Sequence, residues 1–148
     1  MREEQLTSPD GAIRVEFAVT TGRMSHEIYS PRVFHLPSGE LLIDLWGTSW
    51  DASAQFDEPG TVRLDLRLYP GDRPGFGVTV DARARTFRFP DSPGQQYPLK
   101  RFNKLIGQKH ARQKPYPTSR PGMTRGEMLL SLIAFLAALA LIFWRYYF

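Results

Sequence analysis

The sequence predicts a mainly β protein: a small antiparallel β-sandwich or partly closed barrel, followed by one C-terminal transmembrane α-helix. Three observations predict it. Apolar and polar residues alternate with period two through the first 90 residues. Short turn signals separate the alternating runs. The stretch Met128–Trp144 then holds seventeen residues without a charge.

The alternation is clearest in three places. Ile13, Val15, Phe17 and Val19 share one face, with Arg14, Glu16 and Thr20 on the other. Val62, Leu64, Leu66 and Leu68 alternate with Thr61, Arg63, Asp65 and Arg67, and Phe76, Val78 and Val80 with Gly77, Thr79 and Asp81. Period two with one wet face is the signature of antiparallel strands. Weaker strands are expected over 27–34, 40–46 and 84–89, and Pro31 is expected at an edge or bulge because proline donates nothing to a ladder. The connections Ser8-Pro9-Asp10-Gly11, Pro37-Ser38-Gly39, Glu58-Pro59-Gly60 and 70–75 are rich in turn formers. Connections this short favour a meander of about six strands. Residues 1–92 are therefore assigned to a cytoplasmic β domain.

Residues 93–126 change composition. Pro93, Pro98, Pro115, Pro117 and Pro121 oppose long regular structure. One amphipathic turn is expected at Phe102–Ile106, and the remainder is read as an extended, basic juxtamembrane strap. Thr124 and Glu127 stand at capping-box spacing ahead of the apolar run. Residues 127–148 then reach the ~20 residues that cross a bilayer core at 1.5 Å each. Trp144, Tyr146 and Tyr147 are interfacial anchor types. Ser131, Ala134, Ala137 and Ala138 form a small-residue stripe that lets another helix approach closely.

The net charge of +4 is unevenly spread. Residues 1–99 hold ten basic and fourteen acidic side chains, whereas 100–127 hold eight basic ones against Glu127 alone. The eight are Lys100, Arg101, Lys104, Lys109, Arg112, Lys114, Arg120 and Arg125. Basic residues flank the cytoplasmic end of a span, so the N-terminal side is expected in the cytoplasm of a bacterial inner membrane. The acidic N-terminus has no apolar run of the secretory kind. Near an anionic surface each basic residue is worth about 1 kcal/mol, so the strap is expected to contact lipid headgroups or a partner.

Catalysis is not expected. Cysteine is absent, which removes disulfides and thiolate metal sites. His26, His35 and His110 lack metal-ligand spacing, Ser25-His26 lacks a third group, and the glycines lack a phosphate-binding context. Asp44, Asp51, Asp57 and Glu58 lie near Trp46 and Trp50, and are read as turn and surface acids. Trp46 and Trp50 themselves are suited to anchor a protein contact, in a loop spanning 47–56. No cofactor, metal, nucleic acid or small-molecule substrate is expected.

These features point to a non-catalytic, single-pass accessory subunit of a larger membrane complex, stabilising assembly through its helix and its β domain. The layout is similar to that of the H-subunit family of purple-bacterial photosynthetic reaction centres, which also joins one membrane helix, there placed first, to a cytoplasmic β-rich domain. That likeness is architectural, and implies an energy-transducing complex, photosynthetic or respiratory. The alternative is a free-standing, membrane-tethered binding module that recruits a soluble partner.

Overall fold

A computed structural model describes residues 2–22 and 26–117. Packing divides the chain after Tyr116, and the first unit is a β-sandwich. One sheet has strand order β1 (Arg2–Thr7), β2 (Ile13–Thr21), β3 (Glu27–His35) and β4 (Glu40–Asp44). The other runs β5 (Trp50–Gln55), β6 (Thr61–Leu68), β7 (Phe76–Asp81), β8 (Thr86–Arg88) and β9 (Tyr97–Pro98). Every neighbouring pair is antiparallel and consecutive in the chain. This is the meander that the short turns predict.

The inward residues are those marked by the alternation. Ile13, Val15 and Val33 from one sheet meet Val62, Leu64, Val78, Val80 and Phe87 from the other, each at most 1% exposed. A buried branched side chain of this kind contributes about 1.5–3 kcal/mol, so the two facing stripes hold the sheets together. Further along β3, beyond the end of its pairing with β4, the strand lies against β5. There the Asp51 carboxylate accepts the Tyr29 N–H at 3.0 Å, doing the work of a ladder carbonyl.

Among the described residues nine strands form where about six were expected. Arg2–Thr7 is exposed on both faces, so no buried stripe marks it. In Trp50–Gln55 the inward positions are Ala52 and Ala54, too small to stand out from a polar loop. The loop expected over 47–56 is thus mostly strand, and Trp50 begins it. Pro31 also departs from expectation: it lies inside β3, between β2 and β4, and is fully buried. Its carbonyl accepts Leu45 N–H at 2.9 Å, just past the end of β4. Its missing donor therefore faces the point where the ladder stops, and costs no strand pair.

One carboxylate staples two turns. Asp10 accepts from Ser8 Oγ at 2.5 Å and Ala12 N at 3.2 Å in the β1–β2 turn, and from Gly60 N at 2.7 Å in the β5–β6 turn. Gly60 adopts φ 71° there, a conformation that strains residues with a Cβ. The hydrogen bond from Ser8, helped by those from Ala12 and Gly60, holds the Asp10 carboxyl below the usual carboxylate range. The Arg85 hydrogen bond does the same for Glu40, the guanidinium reaching it at 2.6 Å. A lowered folded-state pKa means the folded chain binds fewer protons than the unfolded one. The stabilisation is complete above the usual carboxylate range and fades as pH falls through the folded values. The urea midpoint is expected to drop between pH 6 and pH 3, and Asp10→Asn with Glu40→Gln to flatten that drop.

The largest departure lies in the strap. Leu99–Arg101 forms a 3-10 turn, and Phe102–Arg112 continues as an eleven-residue helix, α1. The prolines expected to forbid it, Pro98 and Pro115, fall just outside its ends. The apolar and long side chains recur at helical spacing: Phe102 and Ile106 are buried, and Leu105 packs beside them. Gly107 sits mid-helix on the exposed side, where an added Cβ would meet nothing within 4 Å. Gly107→Ala is expected to stabilise the fold by about 1 kcal/mol, read as a higher urea midpoint at unchanged slope.

Among the described residues no helix is long and apolar enough to cross a membrane. The span expected over 127–148, with its capping residues Thr124 and Glu127, lies outside the described residues.

Candidate functional site

The helix α1 carries three of the eight basic side chains that the sequence singles out, Lys104, Lys109 and Arg112, with Lys100 and Arg101 just ahead of it and Lys114 just behind. Phe102 meets Phe87 edge to face, with ring centroids 5.0 Å apart. Phe87 in turn contacts Phe89 and Tyr97. Aromatic pairs in this geometry add ~1 kcal/mol beyond their burial. Lys109, on the same side, is drawn inward. Its ammonium lies 4.8 Å from the Phe89 ring centre and is paired with Asp91. Lys109 thus serves the packing of α1.

The far end of α1 is held by the β6–β7 connection. Arg73 Nη1 donates to the His110 carbonyl at 2.9 Å and to the Ala111 carbonyl at 2.8 Å. The last carbonyls of a helix lack partners of their own and carry partial negative charge, so a guanidinium satisfies both needs. The His110 ring stands edge-on to Trp50 at 5.7 Å, and Tyr116 N donates to the Asp72 carbonyl at 2.6 Å. Sequence reasoning missed Arg73, which reads as part of a turn. Nothing local marks a partner thirty-seven residues away.

The outer side of α1 and its flanks present Lys100, Arg101, Lys104, Arg112 and Lys114, all exposed. None of the five makes an ion pair among the described residues. Several arginines of the sandwich are paired instead. In the strands Arg32 is shared with Glu16 at 2.6 Å and Arg67 with Asp51 at 2.9 Å, and in the β7–β8 turn Arg85 with Glu40 at 2.6 Å. Arg120 and Arg125 lie outside the described residues, as do Ser131, Ala134, Ala137, Ala138, Trp144, Tyr146 and Tyr147.

The two tryptophans separate. Trp50 is half-buried and packs edge to face against Phe76 at 6.0 Å as well as against His110. Trp46 lies past β4 on the outer face of the first sheet, its ring 4.0 Å beneath the Arg32 guanidinium. The nearby acids have local duties: Asp44 accepts from Trp46 N at 3.0 Å, and Asp57 faces Arg63 at 3.8 Å. His35 Nδ1 is 2.8 Å from Ser38 Oγ. Among the described residues no three His, Asp or Glu side chains gather as a metal site.

Compared with known protein families, with characterised proteins and with solved structures, the chain matches none.

Proposed function

We propose that the protein is a membrane-anchored, non-catalytic accessory subunit, in which the β-sandwich is held at the cytoplasmic face of a bacterial inner membrane and stabilises a complex of integral membrane proteins. The observation that carries this is the charge-free stretch Met128–Trp144 directly behind a segment with a single acid among its eight cations. That order is the one expected of a span whose N-terminal flank stays in the cytoplasm. The stripe Ser131, Ala134, Ala137 and Ala138 supports docking of that span on a neighbouring helix. An energy-transducing complex, photosynthetic or respiratory, is the setting in which this layout is sought first. The acids beside Trp46 and Trp50 support a structural rather than a chemical role, since Asp44 and Asp51 are spent on backbone N–H groups.

The test is extraction from native membranes. The chain is expected to resist alkaline carbonate and to co-migrate with integral membrane proteins on a native gel after mild detergent. Ala134→Leu with Ala138→Leu is expected to release it from that complex while leaving it in the membrane. Recovery in the carbonate supernatant would refute the anchor, and migration alone would refute the subunit.

A second reading, a tethered module that recruits a soluble partner, draws on β1. This edge strand is exposed along its whole length and carries Leu6 at 45% exposure. An open edge can take up an extended peptide as a further strand. Loss of a co-purifying soluble protein on Gln5→Pro would favour this reading.

A further inference from the structure

We propose that the outer face of α1 rests on anionic lipid headgroups, with Lys100, Arg101, Lys104, Arg112 and Lys114 as the contacting cations. This rests on the membrane reading above and names the surface that the basic residues meet. Four observations point the same way. The five side chains are exposed and lack carboxylate partners among the described residues, whereas Lys109 is diverted to Asp91 and Phe89. All four lysines of the chain fall between 100 and 114, and the strands use only arginine. Arginine suits fixed, forked pairing with a carboxylate, as in Arg85–Glu40, and lysine suits a mobile, hydrated contact with a field of charges.

The face is also of one sign: no acid occurs from Ser92 to Gly126. A cationic face of one sign is complementary to an anionic surface, and an anionic leaflet asks only for cations. Finally, Gly107 and Ala111 lie on the exposed side of α1 beside Lys104 and Gln108, with open space at Gly107. The short side chains at these two positions leave room between the longer polar ones. Fifteen residues separate Arg112 from Met128. At ~3.5 Å each they keep the face within reach of the bilayer, and the attraction acts over a Debye length of ~8 Å.

The chain has no cysteine of its own, so Gly107→Cys introduces a single thiol on this face. Full-length protein carrying it is reconstituted into phosphatidylcholine vesicles with or without roughly one-third phosphatidylserine. The thiol is then labelled with an uncharged polyethylene-glycol maleimide. Labelling is expected to be on the order of tenfold slower on the anionic vesicles. High salt, or Lys100→Gln, Lys104→Gln and Arg112→Gln together, should abolish the difference. A thiol at Ser53→Cys on β5 should label equally on both.

Equal rates at residue 107 on both vesicles, in protein that still resists carbonate, overturn the headgroup assignment and leave the anchor standing. Protein that carbonate extracts overturns both. Slowing seen in native membranes but never in lipid vesicles assigns the face to a protein and overturns the lipid contact.

Discussion

Phe102→Ala is expected to destabilise the domain by about 3–5 kcal/mol, the usual cost of emptying a buried aromatic site. The ring is 2% exposed and fills the gap between α1 and the aromatic group around Phe87. On the opposite wall Phe87, itself 1% exposed, is packed by Phe89 and Tyr97. The hole should therefore stay open. A loss of this size is a large share of the ~5–15 kcal/mol that holds a typical domain. Urea unfolding of the detergent-solubilised chain, followed by tryptophan fluorescence, measures it. Trp50 touches His110 on α1, so early release of the helix would appear as a separate fluorescence change. A double-mutant cycle with Phe87→Ala should show coupling, because the two rings share one contact.

Asp51→Ala should cost about 1–3 kcal/mol, because it strips the acceptor from a half-buried backbone N–H. The carboxylate, 18% exposed, holds Tyr29 N at 3.0 Å with one oxygen and Arg67 at 2.9 Å with the other. Asp51→Asn keeps an acceptor for Tyr29 and gives up only the charge pair with Arg67. That guanidinium is 53% exposed, and pairs so placed contribute ~0–1 kcal/mol. Asparagine should therefore recover most of what alanine loses. The urea midpoints of the two variants and the exchange rate of the Tyr29 amide measure this. Equal midpoints for the two would show that the Tyr29 bond contributes nothing. Because Asp51 supports the junction of β3 and β5, alanine at this position reports on folding before it reports on any chemistry.

What could be read from the residues tracks the strength of the local pattern. β2, β6 and β7 were legible because large apolar side chains occupy every second position beside small, polar or charged ones. β5 was not, because Ala52 and Ala54 mark its inward face too weakly. The helix α1 hid behind its neighbours. Prolines on either side of a sixteen-residue window drew attention away from the spacing of Phe102, Leu105, Ile106 and Lys109 inside it. The basic residues were legible as a group. Their division into outward cations and an inward Lys109 was not, since it depends on where Phe89 and Asp91 stand.

By itself the sequence determined that the chain is mainly β, that its strands follow one another as a meander, and where its charge is concentrated. Those properties follow from local periodicity and composition, which every window of residues carries within it. Only the tertiary structure decided that α1 belongs to the sandwich, that Arg73 caps it, and that Asp10 and Asp51 tie separate segments together. Each of these depends on two parts of the chain far apart in sequence meeting in space: Arg73 with His110, Asp10 with Gly60, Tyr29 with Asp51. No spacing within a single segment encodes such a meeting. It is set by how two apolar faces close on one another and what they leave at their edges.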